Sequence, residues 1–158
     1  MNTRGDDGTG WSRRRVLVLG LATVVAGAGY ALWQRPNSAE QPKLGAAQAF
    51  SATQAGALTL VDIRTPKEWR ATGVPLDSHQ IDMRRADFEP QLLAALGGDK
   101  HAPVALICAR GVRSARQARL LADMGFSNVV DVAEGMLGSA EGPGWIARKL
   151  PVARWPAE

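Results

Sequence analysis

Apolar and polar positions follow two regimes along this chain. Val16 to Trp33 is an unbroken uncharged run, whereas beyond Pro42 the apolar residues come in short blocks separated by polar turns. Leu44, Ala47, Phe50 and Gln54 recur at helical spacing until Gly56 stops them. Leu58-Thr59-Leu60-Val61-Asp62-Ile63 predicts a first strand. Thr65-Pro66-Lys67-Glu68 then supplies a cap, a proline at the first helical position and an acid in the first turn, so a short helix carrying Trp69 follows. Gly73 to Ser78 reads as a loop and Gln80-Ile81-Asp82-Met83 as a brief second strand. Phe88, Leu92, Leu93 and Leu96 give a helix closed by Gly97-Gly98. Val104 to Cys108 is the next strand, and Ser114 caps a helix that buries Ala115, Ala118, Leu121 and Ala122 before Gly125. Val129 to Val132 is another strand, and the Gly-rich segment 135–149, with Trp145 and Ile146, closes the domain with Leu150. Strands alternating with helices at these lengths predict an α/β fold, a mostly parallel central sheet with helices on both faces. Trp69 and Trp145 are expected in its core.

The amino-terminal regime has a different meaning. Residues 1–12 are polar and Gly-rich, a composition that predicts disorder. Ser12-Arg13-Arg14-Arg15-Val16-Leu17 follows, and a basic stretch before an apolar run marks an export signal or an anchor, here residues 1–34. The S-R-R-x-V-L pattern resembles the twin-arginine signal of bacteria, with Val16 where an aromatic is usual; a plain membrane anchor obeying the positive-inside rule is the alternative. As a helix, residues 16–33 would be roughly 27 Å long, just enough to span about 30 Å of hydrocarbon with some thinning. Ala26-Gly27-Ala28 fits a cleavage site, while Tyr30, Leu32 and Trp33 continue the run with interfacial aromatics and favour an anchor that stays. Either way the expected location is the periplasmic side of the bacterial inner membrane, anchored there or released by cleavage. A polar linker occupies 35–42, the domain 43–152 and a tail 153–158.

Charge narrows the partners. The net charge is +4, but residues 1–35 hold five arginines against two aspartates, and the remaining 14 basic and 13 acidic side chains nearly cancel. The domain therefore has no broad basic field, which argues against nucleic acid. A single cysteine forms no internal disulfide, and without a Cys/His cluster no metal site or cofactor is expected.

That cysteine organises the chemistry. Cys108 ends a buried apolar strand and Cys108-Ala109-Arg110-Gly111-Val112-Arg113-Ser114 leads straight into a helix. Gly111 permits a tight bend, and the amides that open the helix suit the turn to an anion. Arg110 and Arg113 add positive charge that favours the thiolate, the attacking species. In a parallel sheet, ligands bind beyond the carboxyl ends of the strands, where Cys108 lies. The plain alternative is a buried structural cysteine.

Three segments carry a resemblance to the rhodanese family of sulfurtransferases, over roughly residues 42–152. Leu60 to Trp69, with Gly73 after it, is similar to the family's opening strand motif. Cys108 to Ser114 resembles the active loop C-x-x-G-x-R-S, and Gly125-Phe126-Ser127-Asn128-Val129 with Glu134-Gly135-Met136 is similar to the closing strand and turn. Two patterns depart: G-H-I-P-G-A becomes Gly73-Val74-Pro75-Leu76-Asp77-Ser78-His79, and L-x-G-G becomes Glu134-Gly135-Met136-Leu137-Gly138.

The resemblance implies that Cys108 takes a sulfane sulfur from a small anionic donor such as thiosulfate, becomes a persulfide, and passes the sulfur to a thiol or cyanide. The backbone N–H groups from Ala109 to Ser114, those of Gly111 and Val112 included, would hold the charge, and Arg110 the donor. Arg113 is expected to hold the loop through a carboxylate, Glu68 or Asp62, with Arg64 in the same supporting group. Arg116 and Arg119 read as an exposed face, Arg119 pairing with Asp123. His79 and His101 receive no role. Phosphatases and arsenate reductases of related architecture use C-x5-R, whereas Cys108 to Arg113 is C-x4-R, one residue narrower. A second class of function also fits an anchored chain: a persulfide carrier or protein-binding module without small-molecule turnover.

Overall fold

The computed structural model describes residues 42–156. The signal or anchor expected over 1–34 lies outside them, and among the described residues no helix is long and apolar enough to cross a membrane. The elements run β1 (Lys43–Leu44), α1 (Ala46–Gln54), β2 (Thr59–Asp62), α2 (Pro66–Thr72), β3 (Val74–Pro75), β4 (His79–Gln80), α3 (Phe88–Ala95), β5 (Val104–Ile107), α4 (Val112–Asp123), β6 (Val129–Val132), α5 (Gly144–Ala147) and β7 (Val152–Ala153).

Five strands form one sheet in the order β1-β6-β5-β2-β4, every pairing parallel. Parallel strands are covered on both faces, so their sequences are apolar throughout rather than alternating. All four residues of β5 are buried. Adjacent residues still face opposite ways, and the core divides accordingly. Leu60, Ala105, Ile107 and Val132 pack with Ala46 and Ala49 of α1, Met136 and Trp145 of α5. Val61, Val104, Leu106 and Val129 pack with Phe88 and Leu92 of α3 and with Ala118 and Leu121 of α4. From β2 the chain first adds β4 on one side and later β5 on the other. The switch leaves a crevice beyond the carboxyl ends of β2 and β5, where such sheets bind ligands.

Several local readings shift. Leu44 belongs to β1, and α1 turns Ala46 and Ala49 inward while Ala47 is exposed, because small residues suffice where the helix lies close on the sheet. The strand expected at Gln80–Met83 pairs at His79–Gln80 instead. Its line continues as single bonds, Ile81 N–H to the Asp62 carbonyl and Met83 N–H to that of Ile63, before Asp82 turns the chain by accepting the Arg84 N–H. Ala122 is exposed, and Ser114 and Gln117 join the buried side of α4 with Ala118 and Leu121. Arg119 forms no ion pair with Asp123 among the described residues. β3, inside the segment 73–78 that reads as a loop, pairs antiparallel with β7, and this small ribbon carries the domain past Val152. Trp155 then packs edge-on against Trp69, ring centroids 4.9 Å apart.

Asp62 and Arg64, expected to support the site, instead brace the frame. Both are almost fully buried, and the guanidinium grips the carboxylate at 2.6 and 2.9 Å. Arg64 also donates to the Thr72 hydroxyl at 2.7 Å and the Gly73 carbonyl at 2.8 Å, tying the end of β2 to the end of α2. Removing one member of a buried pair strands the other's charge. Arg64→Met should therefore lower the unfolding free energy by about 3 to 5 kcal/mol in urea titrations, and a loss below about 1 kcal/mol would contradict this account.

Candidate active site

β5 delivers Cys108 to the carboxyl edge of the sheet, where the backbone of 133–137 lies against it. Met136 N–H donates to the Cys108 carbonyl at 2.9 Å and Leu137 N–H to that of Ala109 at 2.8 Å. The two segments are pressed so closely that side chains are excluded between them. A Cβ on Gly111 would stand 2.2 Å from the Ala133 carbonyl oxygen, and one on Gly135 2.6 Å from that of Ala109. Both glycines also hold φ values, +79° and +64°, that other residues rarely adopt.

The bend set by Gly111 makes it the residue before the first turn of α4, so Gly111, not Ser114, occupies the cap position. Ser114 lies one turn in, fully buried, and its hydroxyl is 3.3 Å from the Cys108 sulfur and 3.1 Å from the Gly111 carbonyl oxygen. The amides of residues 109–114 donate to no acceptor among the described residues, while that of Ala115 begins the helical ladder on Gly111. Cys108 itself is 1% exposed. A buried thiol directly before a run of N–H groups with no acceptor among the described residues suits a site that holds negative charge.

Arg113 spans from α4 to α2. It donates to both oxygens of Glu68, at 3.1 and 2.5 Å, and Asp62 takes no part because Arg64 occupies it. Glu68 in turn closes a capping box: it accepts from the Thr65 N–H at 3.0 Å while the Thr65 hydroxyl accepts from the Glu68 N–H at 3.3 Å. Partial burial pushes the Glu68 carboxyl up, but the hydrogen bonds from Arg113 and Thr65 outweigh it and bring it down to about 2. Arg113 is pushed up, first by its hydrogen bonds to Glu68 and in smaller part by the nearby Cys108 sulfur. Arg110 and Val112 stand exposed on the loop, Val112 at 76%, with Ala109 half-buried between them and the sulfur.

Some participants carried no clear sequence signal. Arg84, held by Asp82 at 2.6 Å, lies close enough to feel the charges of Glu68 and Arg113, and extends the positive rim beyond the loop. Glu134, at the start of the altered closing turn, is buried and accepts from the Ala46 and Gly144 N–H groups and from Arg148 at 2.6 and 2.9 Å. It fastens α1 and α5 to the segment that backs the loop. A surface recess of about 270 Å³, lined by Leu58, Thr59, Asp77 and His79, opens at the amino ends of β2 and β4, the edge opposite Cys108. Among the described residues no group of His, Cys, Asp and Glu is placed to hold a metal ion.

Known proteins share this arrangement. The family model described as a rhodanese-like domain matches residues 46–140. An uncharacterized protein of Rickettsia conorii is 32% identical over 101 residues, covering 58% of this chain and 80% of its own. Among solved structures, a polysulfide-sulfur transferase homodimer from Wolinella succinogenes is similar with a TM-score of 0.58 and 25% identity, covering 84% of this chain and 92% of that one. A protein from M. tuberculosis is similar with a TM-score of 0.55 and 27% identity over 73% of this chain and 99% of its own. With an α/β sheet of this order, a cysteine loop of this width and a family match over most of the domain, the chain belongs to the rhodanese-like domain family.

Proposed function

We propose that the protein is a sulfurtransferase that moves a sulfane sulfur from a small anionic donor to a thiol or cyanide through a persulfide on Cys108. The observation that carries this reading is the set of unsatisfied amides from Ala109 to Ser114 around a buried cysteine. The Cys108 thiolate attacks the outer sulfur of thiosulfate; the S–S bond of the donor breaks and sulfite leaves with the bonding electrons. Cys108 then carries a terminal sulfur with one negative charge. An acceptor attacks that sulfur, its bond to Cys108 breaks, and the thiolate is restored with no net oxidation of the protein. A polysulfide chain, the donor class in the name of the Wolinella succinogenes protein, enters the same scheme with a shorter polysulfide as leaving group.

The residues divide the work. The loop amides, fixed by the fold, take up charge on the thiolate, the persulfide and the departing group without reorganising. Arg113, neutralised by Glu68, holds the loop's shape, whereas exposed Arg110 is available to the donor's anionic end. The four residues between Cys108 and Arg113 make a narrower cradle than phosphate chemistry uses, which favours sulfur. The apolar run 16–33 behind Arg13-Arg14 supports placing this site on the periplasmic side of the inner membrane. Recovery of the full chain in the soluble cytoplasmic fraction would refute that placement. An anchored site also keeps a second reading open, a persulfide carrier whose acceptor is a protein partner.

Intact-mass measurement after incubation with thiosulfate should show one added sulfur on the wild type and none on Cys108→Ser. Thiocyanate production should also vanish in that variant, and in the same assay Arg110→Ala should raise the thiosulfate KM about three- to tenfold with kcat little changed. Sulfur loading without thiocyanate turnover would favour the carrier. The depressed Glu68 carboxyl gives a pH test. Its contribution to stability is fully present above its ordinary value and is lost as pH falls through about 2. Glu68→Gln should thus be less stable than wild type at about pH 6, with the difference shrinking as the wild-type Glu68 carboxyl takes up its proton, as thermal unfolding across the range will read.

A further inference from the structure

Four acidic side chains are buried among the described residues: Asp62, Asp82, Asp131 and Glu134. Three of them face an arginine, namely Arg64, Arg84 and Arg148. Asp131 forms no such pair. It is 2% exposed, and its Oδ1 has no hydrogen-bond partner. A buried carboxylate oxygen left unpaired is costly enough to require an explanation.

Its position supplies one. In β6, Asp131 stands in register with Leu106 of β5 and Lys43 of β1. Val129, two residues earlier on the same strand, packs in the cluster beneath α3 and α4, so alternation sets Asp131 on the α4 face as well. The first turn of α4 brings Ser114 there. The charged groups around Asp131 are Lys43 from β1, Arg119 from α4 and Glu141 from the turn after β6, while β5 offers only Leu106. Burial pushes the Asp131 carboxyl up; the Ser114 hydroxyl, Lys43 and Arg119 pull it down, and Glu141 pushes it up again.

Ser114 has one hydroxyl proton and several acceptors. The Cys108 sulfur is 3.3 Å away and the Gly111 carbonyl oxygen 3.1 Å, and the carboxyl of Asp131, buried on the sheet face that α4 covers, is near enough to feel the same hydroxyl. We propose that Asp131 is a positioning residue that acts through Ser114 on the Cys108 thiolate. When protonated, Asp131 donates to the serine oxygen and leaves the serine proton for the sulfur. When ionised, it draws that proton away and the sulfur loses the Ser114 donor. The coupling is reciprocal: a thiolate on Cys108 makes Asp131 hold its proton more tightly, and a protonated Asp131 eases formation of the thiolate. The inference gives the sulfur-transfer reading a control on its nucleophile, and it rests on that reading for its purpose.

The test is the pH profile of Cys108 alkylation by iodoacetamide in the full chain, which needs no sulfur donor. Asp131→Asn keeps the shape and offers a permanent donor to Ser114. It should alkylate about three- to tenfold faster than wild type above the Asp131 midpoint and converge with it below. Ser114→Ala should erase the difference between the two backgrounds, an outcome that a merely structural aspartate would not produce. Superimposable profiles of wild type and Asp131→Asn would overturn the role of Asp131 alone, whereas a Cys108 inert at every pH would overturn the transfer reading itself. Should Asp131→Asn not fold, carboxyl-carbon NMR of wild type and Cys108→Ser decides. The Asp131 midpoint should fall when the thiolate is removed, and an unmoved midpoint overturns the coupling.

Discussion

The structure depends on the contact of two bare backbones. Residues 108–111 and 133–137 meet with only Gly111 and Gly135 at the closest points, and the hydrogen bonds from Met136 and Leu137 hold them together. Beside that contact the amides of residues 109–114 have no acceptor among the described residues. Cys108 itself packs in the apolar cluster with Leu106, Ala118 and Leu121. A free cysteine would otherwise be an ordinary small core side chain; here it ends a strand directly before the bend that opens α4, with the buried Ser114 hydroxyl 3.3 Å from its sulfur.

Around this contact the chain places charge-paired braces. Glu68 ties the cap of α2 to Arg113, and Asp62 with Arg64 ties the end of β2 to the far end of the same helix. Glu134 holds the starts of α1 and α5. Each is a carboxylate matched to an arginine near a helix terminus, so the frame is charge-assisted on every side while the loop itself keeps Arg110 for the solvent-facing mouth. A preorganised site needs this division, since groups that stabilise charge must already be in place before charge appears.

Much of this was legible in the residues. Thr65-Pro66-Lys67-Glu68 announces its own capping box, and Glu68 is one of two carboxylates within the opening motif that could meet Arg113. The apolar Val104–Ile107 block marks the central strand because burial on both faces removes polar alternation. What escaped was information carried by tertiary contact. Ala46 and Ala49 are too small to distinguish from surface alanines by periodicity, and the two-residue strands of the β3–β7 ribbon are shorter than any pattern. Ser114 looks like a cap because serine favours that position, but the strain that only Gly111 can bear moves the cap three residues earlier. Asp131 sits within the apolar Val129–Val132 block, where a single acid reads as a strand's exposed side until the helix above it is known.

The glycine contact also limits what evolution can do with this scaffold. In many folds a loop can be lengthened at little cost because its far side meets solvent. Here the loop has a wall behind it. An added residue that widened the cradle toward a tetrahedral oxyanion would displace the 133–137 segment and, through Glu134, the starts of two helices. A change in the width of the loop on this chain is therefore a coordinated change of two distant stretches of sequence, and the loop length is held by the geometry of that contact whatever chemistry it serves.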